Sequence, residues 1–151
     1  MAEEGEGAVY ADSSFLISLY SPDTNSALAI ATMQRPAGEI VITPLVEFEL
    51  LNALRQRIFW RQIDTSDADG SMQKFETNLR SGAFRRVALP ESLFERAREI
   101  AERTTATLGT RTIDLLHVAA ALEVGAEYLY SFDERQRKLA RTLRLKLNAL
   151  V

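Results

Sequence analysis

Residues 9–17 read Val9-Tyr10-Ala11-Asp12-Ser13-Ser14-Phe15-Leu16-Ile17, and this stretch decides the fold class. It opens with a short apolar run of the kind that forms a buried strand. Phe15, Leu16 and Leu19 then recur at helical spacing, so a helix follows almost at once. Because Asp12 lies at the junction, the stretch predicts a strand, a tight turn and a helix.

The same alternation of strand and helix continues to the end of the chain. The further predicted strands are Ile40–Ile42, Phe84–Leu89, Tyr128–Tyr130 and an alternating, half-buried segment over residues 143–147. The further predicted helices cover residues 22–34, 44–61, 71–80, 90–103, 112–124 and 134–141. Residues 64–71 are polar and are interpreted as a linker. We expect Thr112 to cap its helix and Gly125 to end it in the left-handed conformation.

Strands that alternate with helices are typical of an α/β domain with a central, mostly parallel sheet flanked by helices. With 151 residues the chain has the length of one compact domain, which we place at residues 8–151. Residues 1–7 are small and acidic, and we expect a flexible tail there. The predicted buried stripe of the third helix is Leu45, Phe48, Leu51, Leu54 and Ile58.

Composition excludes several classes of function. The chain has no cysteine, which rules out thiolate chemistry. Its single histidine, His117, disfavours a zinc site, because zinc is usually bound by several cysteine or histidine ligands. No apolar run approaches the roughly 20 residues of a membrane span, and the N-terminus is acidic where a signal peptide is basic. We therefore expect a cytoplasmic protein without a membrane partner. The formal net charge of −3 provides no global basic field for nucleic acid.

Four acidic residues carry the candidate chemistry. In an open parallel sheet the binding crevice lies beyond the carboxyl ends of the strands. Asp12 and Asp133 follow predicted strands, and Asp114 and Glu49 lie near the starts of predicted helices. Carboxylates that crowd together repel each other unless a cation neutralises them, and oxygen ligands favour Mg²⁺ or Mn²⁺. Such a site suits the cleavage of phosphodiester bonds.

Each of these acids also has a purely structural explanation. Asp12 with Ser13 is suited to capping the next helix, Asp114 is favoured at a helix N-terminus, and Glu49 is an ordinary solvated helical acid. Glu47 competes with Glu49, because two residues separate them by about 200° around the helix, so that only one can face the crevice.

Four runs resemble, in order, the motifs of PIN-domain ribonucleases of the VapC type, the toxins of VapBC toxin–antitoxin pairs. Each run is short, but together they span most of the chain. They are Val9-Tyr10-Ala11-Asp12-Ser13-Ser14-Phe15-Leu16-Ile17, Glu49-Leu50-Leu51-Asn52-Ala53-Leu54-Arg55, Arg111-Thr112-Ile113-Asp114-Leu115-Leu116-His117-Val118-Ala119-Ala120-Ala121 and Ser131-Phe132-Asp133-Glu134-Arg135-Gln136.

The resemblance implies a Mg²⁺- or Mn²⁺-dependent endoribonuclease whose catalytic and metal-binding acids are Asp12, Glu49, Asp114 and Asp133. It favours Glu49 over Glu47 and implies supporting hydroxyls at Ser131 and Ser13. It further implies a homodimer, an RNA substrate and a cognate VapB-like antitoxin. Two features depart from the family: the acidic tail, and the lack of glycine between Lys138 and Leu143, where relatives often turn into the last strand.

Other signals have competing interpretations. His117 is interpreted as a packed, hydrogen-bonded histidine rather than a functional one. Residues 65–76 nearly match a calcium loop, but Thr65 occupies the first ligand position and calcium is not expected. Phe59 and Trp60 are assigned to the core or a dimer contact. A set of basic residues is suited either to RNA phosphates or to a solvated face: Arg111, Arg135, Arg137, Lys138 and Arg141.

The alternatives to a ribonuclease are a phosphatase with Asp12 as nucleophile, a receiver domain, a DNA nuclease and a non-catalytic PIN-like module that binds RNA or protein. The phosphatase is disfavoured because Ser14 stands where a second aspartate is needed. The receiver domain lacks a convincing acid pair and late-strand lysine. The DNA nuclease would use the same metal chemistry, and the presence of all four acids disfavours the non-catalytic module.

Overall fold

The computed structural model describes residues 7–151, so most of the predicted acidic tail lies outside the described residues. Within them the chain forms five strands and seven helices. In chain order these are β1 (Val9–Ala11), α1 (Ser13–Tyr20), α2 (Ser26–Gln34), β2 (Ile40–Ile42), α3 (Pro44–Phe59), α4 (Thr65–Arg80), β3 (Arg85–Arg86), α5 (Leu93–Leu108), α6 (Thr112–Glu123), β4 (Tyr128–Tyr130), α7 (Glu134–Thr142) and β5 (Lys146–Leu147).

The five strands form one sheet in the order β3-β2-β1-β4-β5, and every neighbouring pair is parallel. Val9 of β1 pairs with Ile40 on one side and with Tyr128 on the other. The central strands β1 and β2 are fully buried, whereas both residues of β3 at the edge are exposed. The predicted α/β class with a parallel sheet is therefore confirmed.

The helices form two groups, as the strand order requires. Helices α1 to α4 contact one another, and α6 packs against both α5 and α7. Parallel strands are joined by right-handed crossovers, so the connections that move towards β3 and those that move towards β5 cover opposite faces of the sheet. The core between these layers is built from apolar side chains such as Phe15, Leu50 and Leu129, each with no exposed surface. Within the described residues no helix is long and apolar enough to cross a membrane.

Helix α4 begins at Thr65, so the predicted linker over residues 64–71 is wrong. Asp64 and Asp67 form a capping box: the Asp64 carboxylate accepts from the Asp67 backbone N–H at 2.7 Å, and the Asp67 carboxylate accepts from the Asp64 N–H at 3.1 Å. These bonds satisfy backbone donors that a helix start leaves unpaired. Residues 65–76 are helical, which also excludes a calcium-loop conformation there.

The predicted buried face of α3 is partly wrong: Leu54 is buried and Ile58 packs against the core, but Phe48 and Leu51 are exposed. The side chains it buries are Val46, Leu50 and Leu54, whereas Phe48 is 66% exposed and Leu51 is 39% exposed. The helix carries apolar residues on two sides, and periodicity alone does not tell which side meets the sheet. Phe59 and Trp60, 83% and 57% exposed, do not belong to the core.

Several element ends differ from their predictions. Helix α2 starts at Ser26 rather than near Pro22, and α5 continues to Leu108, where Gly109 ends it in the left-handed region at φ 65°. Arg111 rather than Thr112 is the N-cap of α6. The strands β3 and β5 are shorter than predicted, with two residues each.

The sequence singled out two turns, one because it contains a glycine and one because it lacks a glycine. Gly125, predicted to be left-handed, has φ 76°. At the turn into β5, where the chain lacks a glycine, Arg144 adopts φ 64° instead. A non-glycine residue in this region is uncommon, so the last turn is made at some conformational cost.

Candidate active site

The candidate site lies where the strand order of the sheet reverses. The connections from β1 run towards β3, and those into β4 continue towards β5, so a crevice opens at the carboxyl ends of β1 and β4. Asp12 follows β1 and Ser131 follows β4, and the Asp12 backbone N–H donates to the Tyr130 carbonyl at 3.0 Å. This bond brings the ends of the two strands, and the residues that follow them, together.

Asp12 is fully buried and acts as the N-cap of α1, as its structural explanation predicted. Its Oδ1 accepts from the Ser14 hydroxyl at 2.7 Å and from the Phe15 N–H at 3.0 Å, and its Oδ2 accepts from the Ser131 hydroxyl at 2.9 Å. Burial raises the pKa of Asp12, because desolvation outweighs these hydrogen bonds and the nearby His117. No Lys or Arg among residues 7–151 forms a salt bridge with it.

Of the two rival acids on α3, Glu49 faces the crevice and Glu47 does not. Glu49 accepts from the Ser13 hydroxyl at 3.1 Å, next to Asp12, and it also contacts Nε2 of His117. Glu47 is held at the surface by Arg86, through contacts of 3.0 Å and 2.5 Å. The preference for Glu49 thus agrees with the geometry, although the role of Glu49 stays a prediction.

Arg111 joins the other two acids. Asp114 is fully buried, and its carboxylate faces the Arg111 guanidinium at 3.0 Å and 3.3 Å. The same guanidinium reaches Asp133 Oδ2 at 3.1 Å, while Asp133 Oδ1 caps α7 through the Arg135 N–H at 2.9 Å. Arg111, predicted as an RNA contact, is therefore paired with two candidate metal ligands and is half-exposed.

The hydroxyl, the backbone N–H and the carbonyl of Ser131 all form hydrogen bonds. Its hydroxyl donates to Asp12 and accepts from the Asp133 N–H at 3.1 Å. Its own N–H donates to Asn148 Oδ1 at 2.8 Å, and its carbonyl accepts from Arg137 at 2.9 Å. This hydroxyl thus joins the positions of two candidate acids.

Arg137 and Asn148 were not predicted as part of the site. Arg137 was grouped with the surface cations, but it is buried, 6% exposed, and burial lowers its pKa. Its position four residues after Asp133 places both on one side of α7, which was the available signal. Nothing in the sequence marks Asn148, because its contact is made across the fold.

His117 is fully buried and hydrogen-bonded, as predicted. Its Nδ1 lies 2.9 Å from the Tyr10 hydroxyl, which lies 3.2 Å from the Thr43 hydroxyl. The contact of Nε2 with Glu49 connects this buried network to the crevice. The sequence places His117 on the same side of α6 as Asp114, three residues earlier, but it does not indicate the contact with Glu49.

The carboxylate oxygens of the four candidate acids suit a hard divalent cation. Within the described part of the chain, no group of three or more acidic or histidine side chains is arranged to hold a metal ion. Arg111 instead neutralises Asp114 and Asp133. The buried Asp12 carboxylate, however, forms no salt bridge with a Lys or Arg of residues 7–151, and a buried charge without a salt bridge is costly. Oxygen donors with an uncompensated buried charge fit Mg²⁺ or Mn²⁺.

A family model of the PIN domain matches residues 9–142. The chain belongs to the PIN domain family. The match covers all seven helices of this PIN domain and the strands β1 to β4, so it includes each of the four candidate acids. The placement of the domain boundary at residue 8 stays a prediction. No curated protein sequence matches the chain significantly.

Solved structures share this fold at low sequence identity. VapC20 of Mycobacterium tuberculosis, described as a sarcin–ricin loop cleaving toxin, has a TM-score of 0.67 at 18% identity, covering 86% of this chain and 93% of its own. VapBC2 of Rickettsia felis, bound to a DNA fragment from its promoter, has a TM-score of 0.64 at 14% identity, and FitAcB of Neisseria gonorrhoeae one of 0.67 at 12%. Both cover 93% of this chain and 96% of their own. At such identities the similarity concerns the fold.

Proposed function

We propose that this PIN domain is a Mg²⁺- or Mn²⁺-dependent endoribonuclease that acts as the toxin of a type II toxin–antitoxin pair. The observation that carries the proposal is the buried Asp12 carboxylate at the switch point of the sheet, which forms no salt bridge with a Lys or Arg in the described part of the chain. Glu49, Asp114 and Asp133 stand around the same crevice. Similarity of fold to toxins such as VapC20 supports the choice of RNA as substrate.

The four carboxylates would hold the cation, and the surrounding side chains would orient them. When bound, a divalent cation of this kind activates a water molecule and neutralises charge on phosphate oxygens. Ser131 holds Asp12 and the start of the Asp133 turn, and Ser13 holds Glu49. On metal binding, Arg111 would be displaced from Asp114 and Asp133. The half-exposed Arg111 side chain would then be free to contact RNA phosphates at the mouth of the crevice.

Arg135 is the second proposed RNA contact. It is exposed and lines a cleft of about 150 Å³ at the start of α7 together with Lys138, Thr110 and the acidic Glu134, whose carboxylate is paired with Arg141. Neither Arg135 nor Lys138 forms a salt bridge within residues 7–151. Cations without a protein partner beside an acidic crevice are suited to binding a flanking phosphate.

Cleavage of a mixed single-stranded RNA pool and of a structured RNA stem-loop, with Mn²⁺ or EDTA, tests the proposal. Asp114→Asn should abolish cleavage because it removes a proposed metal ligand, and it should leave the fold intact because the amide keeps the side-chain volume and an oxygen that can accept from Arg111. Glu47→Gln is the matched control, since Glu47 lies on the same helix as Glu49 but pairs with Arg86 at the surface. Full activity of Asp114→Asn would refute the assignment, and cleavage of DNA in parallel would indicate a DNA nuclease.

A non-catalytic PIN-like module is the second candidate, and the Arg111 contacts favour it. An arginine that permanently neutralises Asp114 and Asp133 would replace the metal. Failure of the wild type to bind Mn²⁺ in calorimetry would support this module. A phosphatase with Asp12 as nucleophile is disfavoured, because Asp12 is fully buried and both of its oxygens accept hydrogen bonds.

The proposed partners are a second copy of the chain and a VapB-like antitoxin. Phe48, Leu51 and Phe59 lie at helical spacing on α3 and form an exposed apolar stripe, which suits a homodimer contact. Similarity of fold to the VapBC2 and FitAcB structures supports the antitoxin. An antitoxin is expected to bind the domain and to inhibit RNA cleavage in the same assay.

A further inference from the structure

A buried chain of hydrogen bonds runs from the core to Glu49. Thr43 at the end of β2, Tyr10 on β1 and His117 on α6 have no exposed surface. The Tyr10 hydroxyl lies between the Thr43 hydroxyl, at 3.2 Å, and His117 Nδ1, at 2.9 Å. The Tyr10 and His117 rings are edge-on, with centroids 5.9 Å apart. The opposite ring nitrogen, Nε2, contacts Glu49 Oε1 on α3.

The proton positions along these hydrogen bonds follow from the donor and acceptor capacity of the groups, beginning at Glu49. An ionised Glu49 carboxylate can only accept, so Nε2 of His117 carries a proton. In a neutral ring that is protonated at Nε2, Nδ1 is an acceptor, so the Tyr10 hydroxyl donates its proton to Nδ1 at 2.9 Å. Because the single hydroxyl proton of Tyr10 is then directed at Nδ1, the Tyr10 oxygen accepts from the Thr43 hydroxyl at 3.2 Å. Each donor thus points towards Glu49.

We propose that His117 is a positioning residue for Glu49 and that Tyr10 and Thr43 set the tautomer of its ring. The inference rests on the proposed function, in which Glu49 is a metal ligand. Besides His117, only the Ser13 hydroxyl at 3.1 Å holds the Glu49 carboxylate among the described residues. Ligating carboxylates depend on such outer hydrogen bonds for their orientation.

Nitrogen NMR of the wild type tests the proton assignment without any substitution. His117 is the sole histidine of the sequence, so labelling histidine with ¹⁵N gives the signals of one ring. We expect protonated Nε2 and unprotonated Nδ1 in the neutral ring, and signals that shift on addition of Mg²⁺. A neutral ring protonated at Nδ1, or signals unchanged at saturating Mg²⁺, would overturn the proposal.

Two substitutions of His117 separate positioning from packing. Glutamine places its amide nitrogen near the position of Nε2, whereas asparagine places its own near Nδ1. His117→Asn should therefore weaken Mn²⁺ binding in calorimetry by about 10–100-fold. His117→Gln should recover most of that loss. Equal Mn²⁺ affinities for the two variants, or an affinity as high as that of the wild type for His117→Asn, would overturn the proposal.

A double-mutant cycle with Glu49→Gln shows whether His117 acts through Glu49. In the Glu49→Gln background, His117→Asn should cause little further loss of Mn²⁺ affinity, and losses that simply add would contradict positioning. Tyr10→Phe retains the ring volume and should shift the Nδ1 signal. If Glu49→Gln binds Mn²⁺ as well as the wild type, the proposed role of Glu49 fails. The tautomer of His117 would still be decided by the NMR experiment.

Discussion

Replacement of Arg111 by glutamine should tighten metal binding. In the structure its guanidinium bridges Asp114 and Asp133 at 3.0–3.3 Å, so a cation that uses both aspartates must first displace it. The Arg111 side chain is 49% exposed, and ion pairs with this much solvent contribute about 0.5–1 kcal/mol each. Two pairs give about 1–2 kcal/mol. Since 1.4 kcal/mol is a factor of ten, the Mn²⁺ dissociation constant should fall about 5–30-fold.

The matched control is Arg135→Gln, which removes one positive charge near the crevice without breaking a salt bridge. Calorimetry with Mn²⁺ should show a much smaller change for this variant, because long-range charge effects in salt are weak. Without metal, Arg111→Gln should also lower the free energy of unfolding by about 1–2 kcal/mol, and saturating Mn²⁺ should restore it. Mn²⁺ affinity in Arg111→Gln that is equal to or weaker than that of the wild type would refute the displacement argument.

Three further predictions concern charge, substrate and assembly. Because burial raises the pKa of Asp12, ionised Asp12 destabilises the metal-free fold at neutral pH, and that cost disappears as the pH falls through the raised pKa. Asp12→Asn should thus be more stable than the wild type at pH 7 in urea unfolding with EDTA, with a gain that shrinks towards pH 4; a constant difference would contradict this. Arg135→Ala should raise KM for RNA with kcat nearly unchanged, and an equal loss in kcat would place Arg135 in the transition state. Phe48→Glu should shift a dimer towards monomer in sedimentation, whereas a monomeric wild type would rule out the α3 contact.

The elements of the fold were mostly predictable because their signals are local. The apolar runs at β1, β2 and β4 and the aspartates that follow β1 and β4 are visible in the sequence. The start of α4 was missed because a capping box of two aspartates looks like a polar linker when only composition is considered. The buried side of α3 was missed because Val46 and Phe48 are both apolar, and only contact with the sheet decides between them.

The α/β class, the family motifs and the four acids proposed for the site can be recognised from the sequence alone. These depend on residue type, period and order along the chain. Tertiary structure alone decided that Arg111 neutralises Asp114 and Asp133, that Arg137 and Asn148 hold Ser131, and that His117 reaches Glu49. Arg111 and Asp114 are three residues apart at the start of α6, but the partners in the other contacts lie on different segments, up to 68 residues apart. The long-range contacts depend on the packing of the helices around the sheet, which the local sequence pattern does not specify.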